Sequence, residues 1–216
     1  MLKVRRSGII LALDVLERAR AIKIVEEVAD YIDAVKVGYP LILSVGLDII
    51  SELKGFEKPI IADFKIADVP HVSSEICRIA TGAGADYAIV QGFLGRDVVE
   101  ACSKAAEIFV VCDMSHPGAL DFISPQSEEV ARLAKEYAVG IVAPATRPQT
   151  IKKLREIVGN LIIIAPGVKA QGAEVGSAIN AGADFEIVGR AIYNSPNPRS
   201  EAEGLYNQLK EGEKDE

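Results

Sequence analysis

Short, unbroken apolar runs alternate with longer amphipathic ones along the whole chain, and this alternation constrains the fold more than any other feature. The runs fall at 8–13, 34–38, 59–62, 87–91, 108–113, 140–143, 161–165 and 185–188. Each is rich in Ile, Val and Ala without polar alternation, the pattern of parallel strands buried on both faces. Between them lie helical patterns at 17–32, 45–54, 73–81, 97–107, 127–137, 148–158 and 200–210. In the first, Ala21, Ile24, Val25 and Val28 form one apolar stripe with charges opposite. A strand–helix unit thus recurs about every 25 residues. Eight units in 216 residues predict a single-domain (β/α)8 TIM barrel over 1–210, followed by a charged, frayed tail at 211–216. An open doubly wound sheet normally has about five or six strands and would leave two units spare. The tetrapeptide AGAD occurs at 83–86 and again at 181–184, each time where a helix should end on glycine and a strand begin.

The chemistry outside the pattern narrows the function classes. Net charge is −7, which argues against nucleic acid or an anionic membrane as the main partner. An anionic small molecule is still permitted, because a local site can be positive on a negative protein. Cys77, Cys102 and Cys112 are odd in number and lack CxxC spacing, so neither a disulfide framework nor a thiolate metal site is implied. The opening MLKVRR and the apolar run after it stop at Asp14, too early for a signal peptide, and read better as a first buried strand. No stretch approaches the roughly 20 apolar residues of a membrane span, so a soluble, cytoplasmic protein is expected. The scarcity of Asn and Gln hints at a thermophilic source.

In a barrel, chemistry gathers at the C-terminal ends of the strands. The polar residues there are Asp14, Lys36, Asp63, Lys65, Asp68, Gln91, Ser115 and Arg147, followed by Pro166–Gly167 and Gly189–Arg190. Taken alone, Asp14 reads as a cap for the helix after it. The run Asp63-Phe-Lys65-Ile-Ala-Asp68 is densest, and Lys36 ends the neighbouring strand. Asp63 and Lys65 share a face if the strand continues through them. Asp68 lies beyond it, just before Pro70, which suits a first-turn proline. Two readings follow: an ion-pair network closing the barrel mouth, or a proton donor held in a fixed field. Pro166-Gly167-Val-Lys-Ala-Gln171-Gly172 and Gly189-Arg190 form a candidate phosphate cradle, with backbone N–H groups and a guanidinium together. Ser115 and His116 are adjacent, so they point to opposite faces, and no GxSxG elbow is present. Ser115 therefore reads as a hydrogen-bond donor to a ligand and His116 as structural. With His71 the only other histidine, a histidine-based metal site is not expected.

Taken together, LALD, VKVGYP, ADFKIADVP, the GF after strand four, MSHPG, PATRP, PGVKAQG and VGRAIY occur in order along nearly the whole chain. This set resembles the orotidine 5′-monophosphate decarboxylases, particularly their short archaeal form. The resemblance implies metal-free and cofactor-free decarboxylation of orotidine 5′-monophosphate to uridine 5′-monophosphate, by a homodimer of barrels with sites at the subunit boundary. It makes Lys65 the proton donor, Asp63 the group crowding the departing carboxylate, and Lys36 and Asp68 the residues that keep Lys65 charged and aimed. It assigns the ribose to Asp14 and Lys36 and the pyrimidine to Ser115 and Gln171. The phosphate goes to Gln171, in the loop holding Pro166, Gly167 and Gly172, together with Gly189 and Arg190 after strand eight.

Three positions depart from that pattern. Val72 stands where a threonine would offer the ribose a hydroxyl, Gln91 where a histidine is frequent, and Lys169 where glycine is common. None belongs to the Lys–Asp set, so affinity rather than chemistry is expected to change. Two rivals remain. Metal-dependent relatives acting on sugar phosphates also carry DxKxxD, but typically end strand two with a Mg²⁺-binding glutamate, and here that position is Lys36. The other is a catalytically silent phosphate-binding barrel.

Overall fold

The computed structural model describes residue 2 and residues 5–212. Eight strands close into one parallel barrel in sequence order: β1 (Ile9–Leu13), β2 (Ala34–Gly38), β3 (Ile60–Ile66), β4 (Tyr87–Gln91), β5 (Ile108–Val111), β6 (Gly140–Val142), β7 (Ile162–Pro166) and β8 (Phe185–Val188). Closure is made by β1 against β8, with Ile10 level with Ile187. The helices that separate them are α1 (Arg18–Val28), α2 (Tyr39–Val45), α3 (Ile49–Leu53), α4 (Pro70–Gly82), α5 (Arg96–Ser103) and α6 (Ala119–Phe122), then α7 (Ser127–Tyr137), α8 (Pro148–Val158), α9 (Ser177–Asn180), α10 (Arg190–Tyr193) and α11 (Pro198–Gly212). No helix among the described residues is long and apolar enough to cross a membrane.

Both faces of the strands are buried, which explains the missing polar alternation. Ile10, Ile61, Tyr87, Ile89, Phe109, Ile164 and Phe185 fill the barrel, while Ile9, Leu11, Val35, Ile60 and Val110 pack outward under the helices. The repeated AGAD has a physical cause at the bottom of the barrel. Asp86 accepts the Ile60 N–H at 2.7 Å and pairs with Lys54, and Asp184 accepts the Ile163 N–H at 2.7 Å and pairs with Arg155. Each aspartate therefore ties the start of the preceding strand to the helical segment that leads into that strand.

Several boundaries differ from the sequence reading. The helix expected at 45–54 is two pieces, because Gly46 adopts φ 94° and ends α2. That at 17–32 stops at Val28 before a single 3-10 turn, and that at 97–107 stops at Ser103. The third strand extends past residue 62 to Ile66, with a register shift between Ala62 and Ile66. Glu211 and Gly212 belong to α11 rather than to a frayed tail, and 213–216 lie outside the described residues.

Candidate active site

The C-terminal ends of the strands surround a cavity of about 910 Å³, within the range of small-molecule sites. Its wall on one side is built by β1, β2 and β3. Inward parity places Ala12, Lys36 and Asp63 on the barrel side, and the rim register sets Gly38 level with Asp63. Lys36 Nζ lies 2.7 Å from Asp63 Oδ2, and both side chains are only 8% exposed. Lys65 Nζ lies 2.8 Å from the other oxygen of Asp63, with its side chain 40% exposed. One buried carboxylate thus holds two ammonium groups, one interior and one facing the cavity.

The electrostatics follow from burial and partners. Burial disfavours the Lys36 charge, but Asp63 and then Asp14 more than offset it, so its pKa stands above the ordinary value. Burial likewise pushes Asp63 up, and Lys36 and Lys65 reverse this, leaving it below the ordinary carboxylate value. Asp14 lines the cavity instead of capping α1, whose N-cap is Glu17 without a side-chain bond. Its approach requires Gly38: a Cβ there would stand 2.9 Å from Asp14 Oδ1. Lys65 has φ 40°, left-handed for a residue with a side chain, at the irregularity in β3. Such strain is held where the surrounding structure over-determines it, and bulges re-aim side chains. Here the result is that Asp63 and Lys65, two residues apart, meet head to head.

The opposite wall carries Ser115, Pro166, Gly167, Gln171, Gly189 and Arg190. Gly167 (φ 116°) begins the loop after β7, and Arg190 Nη2 donates to Ala170 O in that loop at 3.3 Å. Lys169, at φ 55°, occupies a conformation natural to glycine, and its ammonium pairs with Glu201 of α11 at 3.0 Å. The cavity therefore has a lysine–aspartate end and an arginine-and-glycine end, with apolar Ile89, Val111, Val142 and Ile187 between.

Three expected site residues do not line the cavity of a single chain. Asp68 is exposed, caps Val69 N at 2.7 Å and forms no ion pair with Lys65. Val72, 38% exposed on α4, and Gly172 are also outside the lining. Gln91 is buried at the end of β4, with Nε2 3.7 Å from Met114 Sδ. His116, expected to be structural, is exposed and lines the cavity. Sequence reasoning missed Asp113, Tyr39 and Tyr193 in the lining. It placed Arg147 at the rim without a role. Tyr39 stacks on Phe64 with centroids 5.4 Å apart. The only signal available for Tyr193 was its place three residues after Arg190.

Known proteins resemble the chain over nearly its whole length. The model of the "Orotidine 5'-phosphate decarboxylase / HUMPS family" matches residues 7–205. A protein of Methanosarcina barkeri named orotidine 5′-phosphate decarboxylase is 51% identical over 212 residues, covering 95% of this chain and 96% of its own. One of Pyrococcus horikoshii with the same name is 50% identical over 207 residues, covering 94% and 99%. Among solved structures, the Methanocaldococcus jannaschii orotidine 5′-monophosphate decarboxylase, complexed with the inhibitor BMP, superposes with a TM-score of 0.89. It shows 45% identity, covering 93% of this chain and 97% of that one.

Proposed function

The chain belongs to the orotidine 5′-phosphate decarboxylase / HUMPS family, and from that membership we propose that it converts orotidine 5′-monophosphate to uridine 5′-monophosphate and CO2 in pyrimidine nucleotide synthesis. The observation that carries the reading is the Lys36–Asp63–Lys65 chain at the β2–β3 mouth, buried at Lys36 and Asp63 and open to the cavity at Lys65. Lys36 faces the barrel from within β2, at the position where a metal-dependent relative typically carries a Mg²⁺-binding carboxylate, and an ammonium cannot ligate a hard cation. The phosphate is gripped by Arg190 with the backbone of Gly167 and Gly189, and Gln171 reaches both phosphate and base. Asp14 and Lys36 take the ribose, and Ser115 the pyrimidine. This orientation points the pyrimidine's carboxylated carbon toward Asp63 and Lys65.

The bond from that carbon to the carboxylate breaks, CO2 departs, and the electron pair stays on the ring carbon. Lys65 offers a fixed ammonium to that developing negative charge and then transfers a proton to the carbon. Asp63 keeps Lys65 in place before the reaction and repels the substrate carboxylate, an interaction relieved as CO2 leaves. Binding energy from the remote phosphate offsets the cost of bringing two negative groups together. Lys65 recovers its proton from solvent through its exposed side.

The enzyme works as a homodimer with shared sites, the partner subunit supplying Asp68 to Lys65. Support comes from Asp68 itself, which is exposed and outside the lining of its own cavity, beside exposed Val69 and one turn from exposed Val72. The three free, buried cysteines suit the cytoplasm.

The deciding experiment follows orotidine 5′-monophosphate by its ultraviolet absorbance, with and without exhaustive chelation. Consumption that survives chelation is expected. No consumption with or without Mg²⁺ refutes the reading, and activity that chelation removes and Mg²⁺ restores refutes its metal-free chemistry.

A further inference from the structure

Ser115 is fixed by its backbone and left free at its hydroxyl. Immediately after β5, Asp113 is fully buried and accepts four hydrogen bonds: from Arg147 Nε at 3.2 Å, Arg147 Nη2 at 3.0 Å, Ser124 Oγ at 2.7 Å and Met114 N at 2.8 Å. Arg147 also donates to the Met114 carbonyl. The next carbonyl, that of Ser115, accepts from Thr146 Oγ1 at 3.2 Å. The peptide groups on both sides of the Ser115 Cα are therefore held by residues of the loop after β6. Gly167 closes the third side, where a Cβ would stand 3.0 Å from Thr146 Cγ2 and 3.5 Å from Ser115 Cβ. Among the described residues Ser115 Oγ makes no hydrogen bond, and Ser115 lines the cavity.

We propose that the Asp113–Arg147 pair is a positioning device that aims the Ser115 hydroxyl at the substrate's pyrimidine. This inference rests on the function proposed above. A purely structural tie between the two loops would need the Asp113–Arg147 contact alone. The fork of Arg147 does more, because one planar guanidinium reads the carboxylate and the Met114 carbonyl together. That sets the peptide orientation just before Ser115 as well as the loop distance. A lysine keeps the charge beside Asp113 but is a single point donor, so it cannot hold both acceptors in one plane. The buried carboxylate needs a cation for stability, and the position after β6 needs an arginine for alignment.

The test is a double-mutant cycle of Ser115→Ala, Arg147→Lys and the two combined, read as kcat/KM on orotidine 5′-monophosphate, with thermal unfolding of each variant alongside. Ser115→Ala is expected to lose about tenfold, the size of one hydrogen bond to a neutral donor. Arg147→Lys is expected to lose about as much while still unfolding cooperatively, since misplacement of a contact by a fraction of an ångström is enough. Because both act through one hydroxyl, the double variant should stay near a tenfold loss rather than about a hundredfold. The same loss should persist on the nucleoside lacking phosphate, which a defect of the phosphate loop would not produce. Additive losses, or an Arg147→Lys enzyme with wild-type turnover, overturn the proposal. Should Arg147→Lys fail to fold, Asp113→Asn takes its place in the cycle with the same expectations. Should the wild-type protein not turn over the substrate, the proposed function fails by itself. Equilibrium binding of uridine 5′-monophosphate to the same variants then reads the coupling.

Discussion

Replacing Lys36 by methionine removes one of the two cations that hold Asp63, and the structure sets the size of the effect. Lys36 Nζ and Asp63 Oδ2 are 2.7 Å apart with both side chains 8% exposed, so neither group can turn to water when the other is lost. At an effective dielectric of about 20, a pair ~3 Å apart attracts by roughly 5–6 kcal/mol, most of it offset by desolvation of the two charges. Removing one partner of a buried pair strands the other and costs about 3–5 kcal/mol. Lys65 remains 2.8 Å from Asp63, though its side chain is 40% exposed and partly screened, so the lower end applies. Taking about 3 kcal/mol and ~2–4 °C per kcal/mol for a chain of this length, Lys36→Met should melt ~6–12 °C below wild type. Asp63→Asn alone leaves two lysines without their carboxylate. The double variant Lys36→Met with Asp63→Asn removes the buried charges together and should lose less than the sum of the singles by about 2 kcal/mol.

Thermal and urea unfolding followed by circular dichroism at neutral pH measure the cycle. A pH series tests the sign. Asp63 is held below its ordinary 3.8, so its contribution is complete above that value and disappears as pH falls through the lower folded pKa. Lys36 is held above its ordinary 10.5, so its contribution is complete below that value and disappears as pH rises past the higher folded pKa. The gap between wild type and variant should therefore be flat between about pH 4 and 10.5 and close outside that range. Strict additivity, or a Lys36→Met protein melting with wild type, refutes the stranded-charge reasoning.

Lys65→Ala should reduce kcat by about 10²–10⁴-fold or more, since it removes the proposed general acid, while uridine 5′-monophosphate still binds in calorimetry. Arg190→Ala should raise KM for the phosphorylated substrate about 10–100-fold, the range of a charge-assisted contact, and leave kcat/KM for the phosphate-free nucleoside nearly unchanged. Equal losses on both substrates would assign Arg190 to the barrel instead of the ligand. Mixing inactive Lys65→Ala and Asp68→Ala proteins after dissociation and reannealing should restore activity to about a quarter of wild type, because random pairing of a two-fold dimer makes half the dimers mixed and repairs one site in each. A mixture that stays inactive after verified subunit exchange means that Asp68 does not act across the interface.

The barrel was legible because its strands are buried on both faces. Apolar runs such as 34–38 and 87–91 coincide with β2 and β4 residue for residue. Where α7 and α8 keep a long amphipathic stripe, the match is equally close. The four-residue helices α6, α9 and α10 were not legible, since one turn of helix carries no period to read. At the site, the lysine–aspartate set could be found from spacing, because Asp63 and Lys65 are two residues apart and Lys36 lies on the adjacent strand. What spacing alone did not reveal is that β3 shifts register between Ala62 and Ile66 and puts Lys65 at φ 40°. Nor could it pair Asp113 with Arg147, 34 positions apart in sequence, or place Gly38 against Asp14. Periodicity records which face of its own element a residue occupies. Which side chains then meet depends on the stagger and closure of eight strands, a property of the packed barrel and of no segment within it.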